Sequence, residues 1–273
     1  CDRPAQQAPR LAALAASVTG VLDAAWLGRC DYEETSRLQV ELVERRRAGE
    51  IGDLLLMLEH PPTYTLGRRT RPGDLPHDAD YYRERGTAVC DTPRGGQVTW
   101  HGPGQLVIYP IIDLRGVGEQ PEGAGRVDVA GFVEKLEEAM IEAVSAYLPS
   151  PEPSGSLFVL DGNKKGPRKV EGLTGIWLGD AKVGSIGLRI SRGITSHGIS
   201  LNVSCDLEPF NSVTACGIDG GRATSILEVA GEAPTVREAG EAVASALAGL
   251  LDRRLNPVEA ASTGIESAGI ATA

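Results

Sequence analysis

The order of apolar periodicities constrains this chain more than any other feature. Short apolar runs fill its centre, each bounded by Gly, Pro or Asp, whereas helical spacing occurs only early, midway and late. The early helix spans 31–47 and turns Leu38, Leu42 and Val43 inward. Residues 53–59 read DLLLMLE, a buried strand, and Pro61-Pro62 breaks the chain before Tyr64. Further strands are expected at 87–91, 105–113, 156–160, 175–178, 182–190 and 197–203, with Gly179-Asp180 as the turn between two of them. Val129, Phe132, Val133, Leu136 and Met140 recur at three and four, which predicts a helix of about five turns. The last helix opens at Thr235 with Glu238 three residues on, a capping box in which each side chain satisfies the other residue's amide. Strands and helices do not alternate regularly, so the fold class is α+β rather than a doubly wound parallel sheet.

The 273 residues divide into a peripheral extension (1–26), a single domain (27–255) and a small, polar tail (256–273) that reads as disordered. Residues 116–125, rich in Gly, Glu and Pro, read as a mobile loop. The chain begins with Cys1 rather than Met, which fits trimming better than a lipoprotein terminus, and the Ala-rich stretch 11–22 lacks the basic lead of a secretion signal.

Charge and composition exclude several classes. A net charge of -10 and 4% aromatic residues speak against nucleic acid, which calls for basic faces and stacking platforms. No apolar run is long enough to span a bilayer, so no membrane partner is expected. The five cysteines are scattered and form no CxxC pair, which fits the cytoplasm better than a disulfide framework or a zinc site. Two basic runs, Arg68, Arg69 and Arg71, then Lys164, Lys165, Arg168 and Lys169, are either solvated loops or docking patches for an acidic partner.

Four segments carry the chemistry. The first runs Arg94, Gly95, Gly96, Gln97, then Val98, Thr99, Trp100, His101, and ends GPGQ. It is neither a Walker A loop nor a GxGxxG element. By spacing alone it is a tight inter-strand loop or a pocket wall with exposed amides. The second begins at Lys182 and continues through Ser185, Ile186 and Gly187. As a strand, it places Lys182, Gly184, Ile186, Leu188 and Ile190 on one face, with the lysine either at a pocket mouth or extended into water. The third contains His197, Gly198, Ile199 and Ser200; its histidine is a base, a ligand or a structural donor. No His/Cys/Asp cluster has metal-ligand spacing, so no metal is expected. The fourth places Cys216 before Gly217-Ile218, in a bend that could expose its sulfur; isolated cysteines are more often small buried hydrophobes.

Together the four segments resemble the lipoyl(octanoyl) transferase family. The shared pattern is RGG-x-VT-x-HGPGQL from Arg94, Lys-x-x-x-Ile-Gly from Lys182, Thr-x-His-Gly from Thr195 and Cys-Gly-Ile at Cys216, in matching order over 27–251. Two departures stand out: Ala215 occupies the position of the usual proline, and the 162–172 loop lies outside the pattern. The resemblance implies the fold of biotin and lipoate protein ligases, a mixed β-sheet flanked by helices. It also implies an acyltransferase that moves an octanoyl group from acyl carrier protein to a lysine of a lipoyl domain, without a cofactor. The acceptors would be the lipoyl domains of 2-oxoacid dehydrogenase complexes and the glycine cleavage H protein. By the same resemblance Cys216 forms a thioester, Lys182 is its partner, and the residues 94–101, 185–187 and 198–200 named above line the acyl pocket. His101 is read as shaping the pocket or holding Lys182, not as the base. The rival readings are an ATP-dependent lipoate or biotin protein ligase, which needs no cysteine, and a non-catalytic acyl-binding protein.

Overall fold

The computed structural model describes residues 20–118, 126–148, 166–211, 213 and 222–263. Eight strands form one sheet: β1 (Val21–Arg29), β2 (Asp53–Glu59), β6 (Gln105–Ile111), β7 (Arg168–Val170), β8 (Leu173–Leu178), β9 (Ala181–Ser191), β10 (Ile194–Asn202) and β11 (Arg254–Val258). Their order is β11-β1-β2-β6-β10-β9-β8-β7. β1 runs parallel to both neighbours and the remaining pairs are antiparallel, which makes the sheet mixed. A small second sheet has the order β4-β3-β5, from β3 (Thr63–Leu66), β4 (Ala88–Asp91) and β5 (Val98–His101). The α+β class read from the periodicities is the class observed.

Helix α1 (Tyr32–Ala48) is capped by Asp31, whose carboxylate accepts from Glu33 N and Glu34 N, and it stops at Gly49 with φ +75°. Its Leu38, Leu42 and Val43 pack on Leu54, Leu56 and Leu58 of β2 and on Val107 and Tyr109 of β6. The opposite face of the sheet presents Leu55, Met57, Leu106 and Ile108. It is covered by α3 (Val129–Tyr147) and α6 (Val236–Leu250). Both faces of the central strands are therefore buried, which is why β2 reads as an uninterrupted apolar run. Phe132, Leu136 and Met140 of α3 are at most 1% exposed. Each contributes about 1.5–3 kcal/mol by leaving water. The predicted capping box at Thr235 is formed. Three short helices complete the described chain: α2 (Ala79–Arg83), α4 (Glu208–Asn211) and α5 (Ile226–Ala230).

The expected boundaries shift at both ends. β1 begins at Val21, inside the segment read as peripheral, and its Leu22, Ala24 and Ala25 are buried. β11 runs to Val258, past the expected end of the domain at 255. Of the expected mobile loop 116–125, Gly116 closes a 3-10 turn that begins at Leu114 and Val117 packs in the core, whereas 119–125 lie outside the described residues. The strand expected at 156–160 also lies outside them. The segment 168–170, read as loop, is the edge strand β7.

Candidate functional site

β9 and β10 pair with Ser185 opposite Ser200, Ile186 opposite Ile199 and Gly187 opposite Gly198. The 94–97 loop rests on this pair, with Gly95 N donating to Leu188 O (2.9 Å). Two glycines make the close approach possible. A Cβ on Gly187 would stand 3.1 Å from Gly95 O and from Arg94 Cδ, and one on Gly198 would stand 2.1 Å from Ile108 O. Between loop and strands lies a cleft of about 510 Å³, its open mouth included.

Twelve of the residues expected to line a pocket line this cleft. Arg94, Gly96, Gln97, Val98, Thr99 and His101 come from the loop and β5, and Ser185, Ile186, Gly187, Gly198, Ile199 and Ser200 from β9 and β10. Gly95 and Trp100 are not in its lining. Gly95 is clamped to β9 through its amide. Trp100 points away and packs edge-on to Phe210 at 5.6 Å, beneath the small sheet. Tyr32, Val107, Tyr109 and His197 also line the cleft. They were missed as pocket residues because they sit on α1, β6 and β10, and only the sheet order brings those elements together. His197 lay in a segment already singled out.

His101, Tyr109 and His197 form the floor, and with His60 beneath them they make a buried polar cluster held neutral. His60 is 0% exposed; its Nδ1 donates to Cys30 O (2.7 Å) and its Nε2 accepts from Tyr109 Oη (2.7 Å). His101 Nδ1 lies 2.7 Å from Gln105 Oε1. Burial depresses all three imidazoles. His60 and His197 fall to about 4, and His101 falls well below its ordinary value, with His60 and the Arg94 guanidinium adding to the effect. Burial likewise pushes the Tyr109 phenol well up. Arg94, 7% exposed, directs its donors at protein oxygens: Nε and Nη2 at Thr65 Oγ1 (3.1 and 2.7 Å), Nη2 at Thr65 O (2.7 Å) and Nη1 at Gly95 O (2.9 Å). These bonds tie β3 to the loop and fix the cleft wall. His197 has φ +53°, left-handed for a non-glycine residue within a strand, and its amide donates to Gln39 Oε1 (2.6 Å). Such a conformation costs about 1–3 kcal/mol and persists only where its surroundings impose it. A neutral floor with Val98, Val107, Ile186 and Ile199 around it accommodates an uncharged, largely apolar group.

Lys182 opens β9, three residues before Ser185, and is not in the cleft lining. Its Nζ stands 4.9 Å from the centre of the Trp177 ring. Its backbone is tied to the segment that follows position 221: Lys182 N donates to Arg222 O (2.8 Å) and Thr224 N donates to Lys182 O (3.0 Å). Cys216 lies outside the described residues, which stop at Val213 and resume at Arg222. Among the described residues no group of three or more His, Cys, Asp and Glu side chains could hold a metal ion, and no helix is long and apolar enough to cross a membrane.

Residues 31–248 match the family model for the lipoyl protein ligase A/B catalytic domain. An octanoyltransferase of Mycolicibacterium gilvum is 40% identical over 249 residues, which cover 89% of this chain and 91% of that protein. Among solved structures, a bi-partite lipoate protein ligase of Thermoplasma acidophilum shares the fold with a TM-score of 0.62 at 13% identity, over 91% of each chain. Lipoate-protein ligase A bound with ATP aligns with a TM-score of 0.57 at 14% identity, over 93% of this chain and 94% of that one. By its matched domain and by its identity to octanoyltransferases along nearly its whole length, the chain belongs to the lipoyl(octanoyl) transferase family and is an acyltransferase.

Proposed function

We propose that this protein transfers an octanoyl group from acyl carrier protein to a lysine of a lipoyl domain through a thioester on Cys216. The observation that carries the reading is the cleft itself, which sets Val98, Val107, Ile186 and Ile199 beside neutral imidazoles, together with a family membership that already makes the protein an acyltransferase. In the first step the Cys216 thiolate attacks the thioester carbonyl of the donor. A new C–S bond forms, the old one breaks, and the carrier's thiolate leaves and takes up a proton. In the second step the neutral amine of the acceptor lysine attacks the Cys216 thioester, an amide forms, and the thiolate is released. An ammonium at Lys182 favours a nearby thiolate by opposite charge, and its neutral form can remove the proton of the incoming amine. Each methylene buried in the cleft adds about 0.8 kcal/mol, so pocket depth selects chain length. Burial pushes Cys30 and Cys90 up to about 11 and Cys205 up to about 12, which leaves almost no thiolate at neutral pH and makes these three poor nucleophiles.

The exposed Arg68 and Arg69 stand beside the cleft loop, with Arg68 N bonded to Arg94 O and Arg69 N to Gly96 O. They offer a positive rim for an acidic carrier on a chain of net charge -10. The acceptors in this reading are the lipoyl domains of 2-oxoacid dehydrogenase complexes and the glycine cleavage H protein. A cytoplasmic setting agrees with Cys30, Cys90 and Cys205 being free thiols. Incubation of the protein with octanoyl carrier protein and a lipoyl domain, with neither ATP nor magnesium, tests the reading. Octanoylated domain is expected; strict dependence on ATP rejects the transferase in favour of a ligase. Lys182→Ala is expected to slow transfer strongly with the fold intact, and unchanged rates from pH 6 to 9 would remove Lys182 from the mechanism.

A further inference from the structure

We propose that Asn202 is a positioning residue: its carboxamide locks the backbone around Lys182 to the histidine floor of the acyl cleft. Asn202, at the end of β10, is 5% exposed. Its Nδ2 donates to Thr224 O (2.9 Å), and its Oδ1 accepts from Gln105 Nε2 (2.9 Å). Gln105 Nε2 also donates to Trp100 O (3.1 Å), and Gln105 Oε1 accepts from His101 Nδ1 (2.7 Å).

Two backbone carbonyls fix the direction of every bond in this relay. A carbonyl oxygen only accepts, so the groups facing Thr224 O and Trp100 O are the amide nitrogens of Asn202 and Gln105. The oxygens of both amides are then the acceptors, and His101 must carry its proton on Nδ1. Thr65 Oγ1, which receives the Arg94 donors, has its own hydroxyl proton to give to His101 Nε2 at 3.4 Å. The relay therefore has no rotational freedom and leaves His101 no acceptor facing Gln105.

At its other end the relay meets Lys182. Residues 222–224 lie against the start of β9 as a short parallel bridge, Lys182 N to Arg222 O and Thr224 N to Lys182 O. Thr224 is 3% exposed and its hydroxyl donates to Glu228 Oε2 (2.6 Å). The Asn202 amide thus enters a segment that bonds Lys182 on both sides of its Cα. A displaced anchor moves Lys182 without touching the substrate, and misplacement of a catalytic group by about 1 Å costs on the order of a hundredfold in rate.

This proposal rests on the reading of Lys182 as the partner of Cys216. Asn202→Leu removes both bonds at similar volume, and Gln105→Met breaks the relay one link earlier. Two measurements are made on each folded variant: amide hydrogen exchange at Lys182 and Thr224, and kcat and KM for octanoyl transfer from carrier protein. The expected result is at least roughly tenfold faster exchange at these amides, and a kcat about 10- to 100-fold lower with KM for the donor unchanged. Unchanged exchange overturns the anchor whatever the activity does. Accelerated exchange with an unchanged kcat, in a wild type that transfers octanoyl, overturns the positioning role alone. A wild type that transfers nothing overturns the underlying reading, and the positioning role with it.

Discussion

Lowering the pH from 7 to 5 should destabilise this protein through the buried imidazoles at and beneath the cleft, His60, His101 and His197, and two of them set a lower bound on the effect. His60 and His197 have pKa values depressed from 6.5 to about 4 by burial. The sign is fixed by which state binds the proton. Between pH 6.5 and 4 the unfolded rings are charged and the folded rings are not, so the unfolded state takes up protons and gains. The stability these rings contribute is present above pH 6.5 and is lost as pH falls toward 4. At pH 7 the difference is about 0.2 kcal/mol per ring and at pH 5 about 2 kcal/mol, from the same binding expression. Together they remove about 4 kcal/mol, a large part of a typical net stability. His60→Gln isolates one of them, because a carboxamide can still donate to Cys30 O and accept from Tyr109 Oη. Urea unfolding at pH 7 and pH 5 should show the variant losing about 2 kcal/mol less than the wild type. Equal losses in the two proteins, or a His60 ring that titrates near 6.5 by NMR, would refute the reasoning.

Three further outcomes follow from other parts of the fold. Asp53, 4% exposed, receives Arg46 Nε at 2.8 Å, Arg253 Nη1 at 3.1 Å and Asp113 N at 3.0 Å. Asp53→Ala strands two partly buried guanidinium groups and is expected to cost about 3–5 kcal/mol in chemical denaturation; a loss under about 1 kcal/mol contradicts it. Gly198→Ala places a methyl group 2.1 Å from Ile108 O, so the β6–β10 pairing must part. A melting temperature equal to that of the wild type would show that the strands are not held as described. Brief iodoacetamide treatment at pH 7 followed by peptide mapping should leave Cys30, Cys90 and Cys205 unlabelled, since thiols at about 11 to 12 hold roughly one thiolate in ten thousand or fewer. Rapid label at any of them would reopen the choice of nucleophile.

The fold was legible where local chemistry and tertiary packing agree. Asp31 caps α1, Thr235 boxes α6, and DLLLMLE is a strand because both its faces meet helices. β1 was illegible because its alternation changes face where the buried Ala24 and Ala25 stand side by side, and its Ala-rich lead resembles linker. β11 contains Pro257 and among the described residues pairs only with β1, so it has the composition of an edge strand, easily read as tail. The cleft was legible in the glycines and hydroxyls of the linked motifs, because the close approach of the 94–97 loop to β9 demands those residue types. Trp100 was misread because a motif does not say which way alternate side chains of a strand point; β5 turns Thr99 and His101 to the cleft and Trp100 to Phe210. His60 and Tyr109 carried no signal, since their bond joins residues 49 apart in sequence, one just past the end of β2 and one on β6.

The central claim is that the acyl group passes through Cys216. Incubation of the protein with octanoyl carrier protein, followed by intact mass and peptide mapping, tests it most directly. One octanoyl group is expected on the wild type, mapped to Cys216 and absent in Cys216→Ser. No adduct on the wild type, or an adduct that survives the substitution, would contradict it.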